Sequence, residues 1–101
     1  MKRGEFYIRL HHEAVKAEGY YTQYEDLAIT KYENLYTVTH IPSGLACSSG
    51  FRTLSECTEY LNTSVGNIFT VIKVQKLAIL RAESEFKNLI EKAEKESSSN
   101  D

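Results

Sequence analysis

A long series of apolar residues repeats in alternating steps of four and three through the C-terminal half of the chain. Its positions are 61, 65, 68, 72, 75, 79, 82, 86, 89 and 93, and they carry Leu, Val, Ile, Ile, Gln, Ile, Ala, Phe, Leu and Ala. This heptad spacing places the side chains on one face of an α-helix, here called the seam. The sequence therefore predicts a long C-terminal helix over about 64–94.

Two points in this helix stay open. The stretch from Ile68 to Val74 is dense in β-branched residues, so residues 67–74 could instead form a strand. Gln75 is the polar exception in the seam: it is either solvated near the edge of the helix contact or a register-setting residue in a self-associating coil.

A shorter helix is predicted before the long one. Thr53-Leu54-Ser55-Glu56 has the form of a capping box, in which the Thr hydroxyl and the Glu carboxylate bond to free amides at a helix start. We expect this helix to span 53–62, with Cys57 facing the core as a reduced, structural residue.

The N-terminal half carries strand signals. Residues 5–12 alternate apolar and polar side chains at the period of a half-buried strand, and the helix-friendly residues 13–19 are interpreted as a connection. Two β-rich runs, 27–33 and 35–41, meet at Glu33-Asn34, a pair suited to a tight hairpin turn. The turn Pro42-Ser43-Gly44 then leads to a strand at 45–48, which completes a three-stranded meander.

The predicted fold class is therefore α+β: a small antiparallel sheet of three or four strands, followed by a short helix and a long C-terminal helix. At 101 residues the chain is the size of one domain. We expect a single domain over 1–96, and a disordered tail over 97–101, where the Ser-rich sequence has nothing to bury.

Two groups of residues are candidates for binding a protein partner. A helix over 64–94 would be roughly 45 Å long, against about 17–24 Å for the strands, so its C-terminal half should overhang the sheet and join a second copy or another protein. The tyrosines at 20–24 form either the rim of the core or a contact surface. The predicted partner-binding residues are Tyr20, Tyr21, Tyr24, Ile79, Phe86 and Leu89.

Charge and length limit the other classes of partner. The net charge of −2, from 12 basic and 14 acidic residues, gives no overall field that attracts phosphates. A nucleic-acid or nucleotide binder remains the alternative, with Arg9, Lys31 and Arg52 as candidate phosphate contacts. No run of about 20 apolar residues is present, and the start of the chain does not resemble a signal peptide, so a cytoplasmic protein without membrane contact is expected.

No motif points to catalysis, a metal or a cofactor. The glycines are scattered and form no phosphate-binding loop. His11 and His12 would point to opposite faces of a strand and could not share an ion. A nucleophilic pair of Cys47 and His40 could meet across the turn at 42–44, but no third catalytic group is evident, so the prediction is a protein that is not an enzyme.

The segment Thr39-His40-Ile41-Pro42-Ser43-Gly44-Leu45, followed by Gly50-Phe51-Arg52-Thr53-Leu54-Ser55-Glu56, resembles a strand, turn, strand and capped helix of small accessory proteins from bacteriophages and mobile elements. The resemblance covers about a fifth of the chain and carries no catalytic residue. It implies a binder that blocks a host enzyme or a defence complex, as anti-CRISPR proteins do, acting in the host cytoplasm.

Overall fold

The computed structural model describes residues 1–98, which form a four-stranded antiparallel sheet and two helices. The strands β1 (Arg3–Leu10), β2 (Glu13–Tyr21), β3 (Leu27–Tyr32) and β4 (Leu35–His40) lie in chain order across the sheet. The helices are α1 (Leu54–Val74) and α2 (Lys76–Ser98). The predicted α+β class is thus confirmed. Of the tail predicted at 97–101, residues 99–101 lie outside the described residues.

Two-residue turns join β1 to β2 and β3 to β4. Glu33 and Asn34 adopt φ values of 50° and 66° between Tyr32 and Leu35, so the predicted β3–β4 turn is confirmed. His11 has φ 54° and, with His12, forms the β1–β2 turn. The prediction that both histidines continue the first strand was therefore wrong, because the chain already reverses after Leu10.

Strand β2 corrects the prediction of a connection at 13–19. The residues Glu13, Ala14, Lys16, Ala17 and Glu18 favour helix locally. They nevertheless form a strand, because β2 pairs with β1 along its length and with β3 at its C-terminal end. The ladder with β1, joined from Glu18 onward by the ladder with β3, outweighs a weak local preference.

The segment after β4 follows the edge of the sheet without forming the predicted strand at 45–48. Only an isolated bridge joins Thr39 to Ala46. At the turn before this segment, the backbone amide of Arg9 in β1 donates a hydrogen bond to the carbonyl oxygen of Gly44, at 3.0 Å. The sheet therefore curls until its first strand meets the turn that follows its last strand.

Helix α1 begins at the predicted cap but does not end at residue 62. Thr53 Oγ1 accepts a hydrogen bond from the Glu56 amide at 3.1 Å, which confirms the N-cap. The helix continues to Val74, so residues 67–74 are helical, and it ends at Gln75, whose φ and ψ are −101° and 32°. The β-branched side chains are tolerated because Ile68 is buried against the sheet.

The two helices cannot be collinear. A straight helix over 54–98 would be about 67 Å long at 1.5 Å per residue, whereas the longest dimension of the molecule is 44 Å. The chain bends at Gln75, so that α1 packs on β3 and β4 while α2 packs on β2. We call this bend the elbow.

The main core lies between α1 and one face of the sheet. Its buried members are Leu27, Ile29, Val38, Cys57, Leu61 and Ile68. The burial of Cys57 confirms its predicted position in the core. On α2, Phe86 is also buried, with 1% of its surface exposed, and its ring lies against Gly44.

Candidate functional site

The predicted overhang of the C-terminal helix is not observed. Phe86 is buried against Gly44, while Ile79 and Leu89 are half-buried on the same side of α2. The prediction that Phe86 is an exposed partner-binding residue was therefore wrong. Phe86 is buried because the chain bends at the elbow. The bend packs α2 against the sheet, so that the seam residues of α2 face β2.

The three tyrosines do not form one surface. Tyr20 and Tyr21 are consecutive in β2, so their side chains point to opposite faces of the sheet. The ring of Tyr21 packs edge-on against Phe6 at 4.9 Å, and that of Tyr24 packs against Phe69 of α1 at 5.8 Å. Tyr24 is half-buried beside the core, as expected for the rim position.

The candidate phosphate contacts are also separated. Arg9 is bound by the Glu85 carboxylate at 2.9 Å, and only 19% of its side chain is exposed. Lys31 lies opposite Glu18 and Tyr36, with its amine 5.5 Å from the Tyr36 ring. Arg52 is exposed in the segment before α1. Because the Glu85 carboxylate neutralises Arg9, this residue is a poor phosphate contact.

The four most exposed large apolar side chains of the helices lie on either side of the elbow. They recur every three residues across it, with exposed fractions of 52% for Val71, 78% for Val74, 84% for Leu77 and 50% for Leu80. We call these four residues the elbow surface. The four residues lie within ten consecutive positions of the chain, and large apolar side chains left exposed near one another are typical of interaction sites.

A mostly apolar cavity of about 350 Å³ opens beside the elbow surface. It lies between α1, the start of α2 and the segment after β4, and Val71 belongs both to its wall and to the elbow surface. Ile68, Ile72 and Ile79 supply apolar walls, and Asn67 and Gln75 add polar groups. A cavity of this volume can accept one or more large side chains of a partner.

His40, Ser43 and Cys47 line the inner end of this cavity. His40 Nδ1 lies 2.7 Å from Ser43 Oγ, and the Ser43 hydroxyl also accepts a hydrogen bond from the Leu45 amide at 3.3 Å. Ser43 has no exposed surface. Burial raises the pKa of the Cys47 thiol, and a hydrogen bond with the His40 backbone lowers it by less. The hydrogen bonds of Ser43 thus stabilise the turn after β4, while burial keeps Cys47 a neutral thiol.

Sequence reasoning brought His40 and Cys47 together correctly but missed the elbow surface. Val71, Val74, Leu77 and Leu80 all lie off the seam, at positions where a solvated helix would carry polar residues. That departure was the available signal. The exposed apolar residues between Val71 and Leu80 were not predicted as a site, because the seam alone explained a stable helix there.

Within residues 1–98, no cluster of His, Cys, Asp and Glu side chains could hold a metal ion. Neither described helix combines the length and apolar character needed to span a membrane. No protein-family model, curated protein or solved structure matches the sequence.

Proposed function

We propose that this chain is a non-enzymatic protein-binding module whose contact surface is the elbow surface together with the adjoining cavity. The observation that carries the proposal is the exposure of Val71, Val74, Leu77 and Leu80 in a continuous series across the bend. Leaving large apolar side chains in water forgoes roughly 1.5–3 kcal/mol for each one that a partner would bury. A partner that covers them recovers this free energy.

The state of the inner cavity residues supports binding over catalysis. A nucleophilic cysteine works as a thiolate, whereas burial raises the pKa of Cys47 and keeps it protonated. The Ser43 hydroxyl lies next to His40, but it has no exposed surface and is already engaged with the His40 ring and the Leu45 amide. The neighbouring cavity is better suited to receive an apolar anchor than to assemble a reaction site.

The biological role within this proposal is that of an inhibitor. The resemblance of the segments at 39–45 and 50–56 to phage accessory proteins suggests a binder that blocks a host enzyme or a defence complex. For such a protein, occupying one surface of the target is sufficient, and no catalytic group is needed.

The proposal is tested by affinity capture with the purified protein and with Leu77→Glu. A bound protein that depends on the elbow surface should be retained by the wild type and lost with Leu77→Glu, because a charged carboxylate would replace an apolar side chain that the partner buries. The captured protein is then purified, and its dissociation constant should increase about a hundredfold or more with Leu77→Glu.

Asn88→Glu is the matched control. Asn88 is exposed on the same helix, and the substitution adds the same charge away from the elbow. Binding equal to wild type is expected for this variant. If every captured protein binds Leu77→Glu as well as it binds the wild type, the elbow surface is not the contact site and the proposal is wrong.

A further inference from the structure

We infer that the occupant of the elbow surface is an acidic amphipathic helix of another protein, with its apolar face on Val71, Val74, Leu77 and Leu80 and one large apolar side chain in the cavity. This inference rests on the proposed function and adds the chemistry of the partner. It follows from the charges around the elbow, the cavity beside it and the shape of the two helices.

The charge around the elbow has one sign. No Asp or Glu occurs between Glu59 and Glu83, and the charged residues of that interval are Lys73, Lys76 and Arg81. All three are exposed, and none takes part in an ion pair within the described part of the chain. The elbow is therefore an apolar strip bordered by unpaired cations, in a protein whose overall charge is negative.

Helix stability does not account for all of these cations. Lys73 lies in the last turn of α1, where a positive charge interacts favourably with the helix dipole. Lys76 is the first residue of α2, whose first turn contains no acidic residue. Lys76 also directly follows the C-cap of α1, so the dipoles of the two helices act on its charge in opposite directions and give no net reason for a cation at this position.

The same charges disfavour a second copy as the occupant. In a symmetric dimer centred on the elbow, the same patch of both copies forms the contact, so Lys73, Lys76 and Arg81 would face their own counterparts. No acidic residue of the interval could pair with them. Like charges in apposition weaken association and select against that partner.

The cavity distinguishes a protein partner from an anionic membrane. A membrane surface would meet the exposed residues and the cations but would leave the 350 Å³ cavity at Val71 unfilled. A helix fills it with one anchor residue while neighbouring positions of its apolar face cover Val74 and Leu77. Acidic residues on the flanks of that helix then lie opposite Lys73, Lys76 and Arg81.

The test uses two synthetic amphipathic peptides as probes, with identical apolar positions and with either Glu or Lys at every charged position. Binding to the fluorescently labelled peptides is measured by anisotropy at low and high ionic strength. We expect the acidic peptide to bind about tenfold or more tightly than the basic one at low salt, and the preference to shrink as salt is added. In Lys73→Glu/Lys76→Glu/Arg81→Glu the preference should reverse.

Each other outcome overturns the inference in a recognisable way. Equal affinity for both peptides, abolished by Leu77→Glu, would leave the proposed function standing and remove the acidic partner. If neither peptide binds but Leu77→Glu still abolishes capture of a protein, the proposed function likewise stands and the acidic helical partner is ruled out. Concentration-dependent dimers in light scattering would assign the surface to a second copy, and binding to vesicles of phosphatidylserine and phosphatidylcholine with no peptide binding would assign it to a membrane.

Discussion

Phe86 of α2 lies so close to Gly44 that a Cβ atom added to Gly44 would come within 2.3 Å of its ring. Gly44 has φ 69°, a conformation that residues with a side chain rarely adopt, and its carbonyl accepts the hydrogen bond from Arg9 that joins the edges of the curled sheet. This contact packs α2 against the point where β1 meets the turn after β4.

Gly44→Ala should therefore lower the free energy of unfolding by about 2–4 kcal/mol, from the ring clash and the positive φ together. Phe86→Ala should lower it by about 3–5 kcal/mol through loss of the buried ring. When Gly44→Ala is added to the Phe86→Ala variant, it should lower the free energy of unfolding by only about 1 kcal/mol. The ring clash is then absent, and only the backbone strain remains. Urea denaturation of the single and double variants measures this coupling.

Gly66→Ala is the control for the glycine substitution. A Cβ atom at Gly66 would meet nothing within 4 Å, and the residue lies inside α1. We expect it to stabilise the protein by about 0.5–1 kcal/mol, as alanine does in an exposed helix position. Additive effects at Gly44 and Phe86 would contradict the close contact between them.

The N-cap of α1 gives a second prediction. Thr53→Ala removes the hydroxyl that accepts a hydrogen bond from the Glu56 amide. The substitution should destabilise the protein by about 1 kcal/mol. Ser55→Ala, at an exposed position of the same turn, should change stability by less than about 0.5 kcal/mol. Thermal unfolding of the two variants compares them, and equal melting temperatures would rule out a stabilising cap at Thr53.

The buried thiol of Cys57 predicts a loss of stability in alkali. Burial raises its pKa from 9.0 to about 11. The folded state therefore holds the thiol proton more tightly than the unfolded state does. The resulting stabilisation, roughly 2–3 kcal/mol, is complete below the unfolded pKa and is lost as the pH rises from 9 to about 11.

Cys57→Ala isolates this effect from other groups that titrate in alkali. The variant should be less stable than wild type near neutral pH because of the cavity, but its unfolding free energy should depend less on pH between 9 and about 11. Denaturant titrations across that range provide the comparison. Parallel pH profiles for the two proteins would show that Cys57 does not titrate differently in the folded state.

The ion pair between Arg9 and Glu85 predicts a modest, salt-dependent contribution. Its atoms are 2.9 Å apart, but 54% of the Glu85 side chain is exposed, so Glu85→Gln should reduce stability by only about 0.5–1 kcal/mol at low salt. The effect should diminish in high salt. Glu18→Gln is the control, because its pair with Arg3 spans 3.9 Å with both side chains about three-quarters exposed and should contribute nothing measurable.

Features set by neighbouring residues were predictable from the sequence. Asn34 tolerates the positive φ of the β3–β4 turn, and the Thr53 hydroxyl caps α1 by accepting a hydrogen bond from the backbone amide of Glu56, three residues later. In both cases the physical cause lies within one turn of chain. Strand β2 escaped prediction because its pairing with β1 and β3 depends on residues on separate strands, whereas most of residues 13–18 favour a helix locally.

The candidate site shows the same division. The seam spacing placed Leu61, Ile68 and Phe86 on one helix face, and all three are buried in the structure, since a side chain's direction about its own helix axis is set by residue spacing. The spacing did not predict the path of that axis. Whether Phe86 meets the sheet or a partner depends on the bend at Gln75.

The sequence by itself therefore determined the class of fold, the hairpin turn, the start of α1 and the face that each helix buries. The tertiary structure alone decided that the elbow brings α2 back onto β2 and leaves Val71, Val74, Leu77 and Leu80 exposed. The physical reason is that local spacing orients side chains about an axis, whereas the course of the axis minimises the free energy of packing against distant strands.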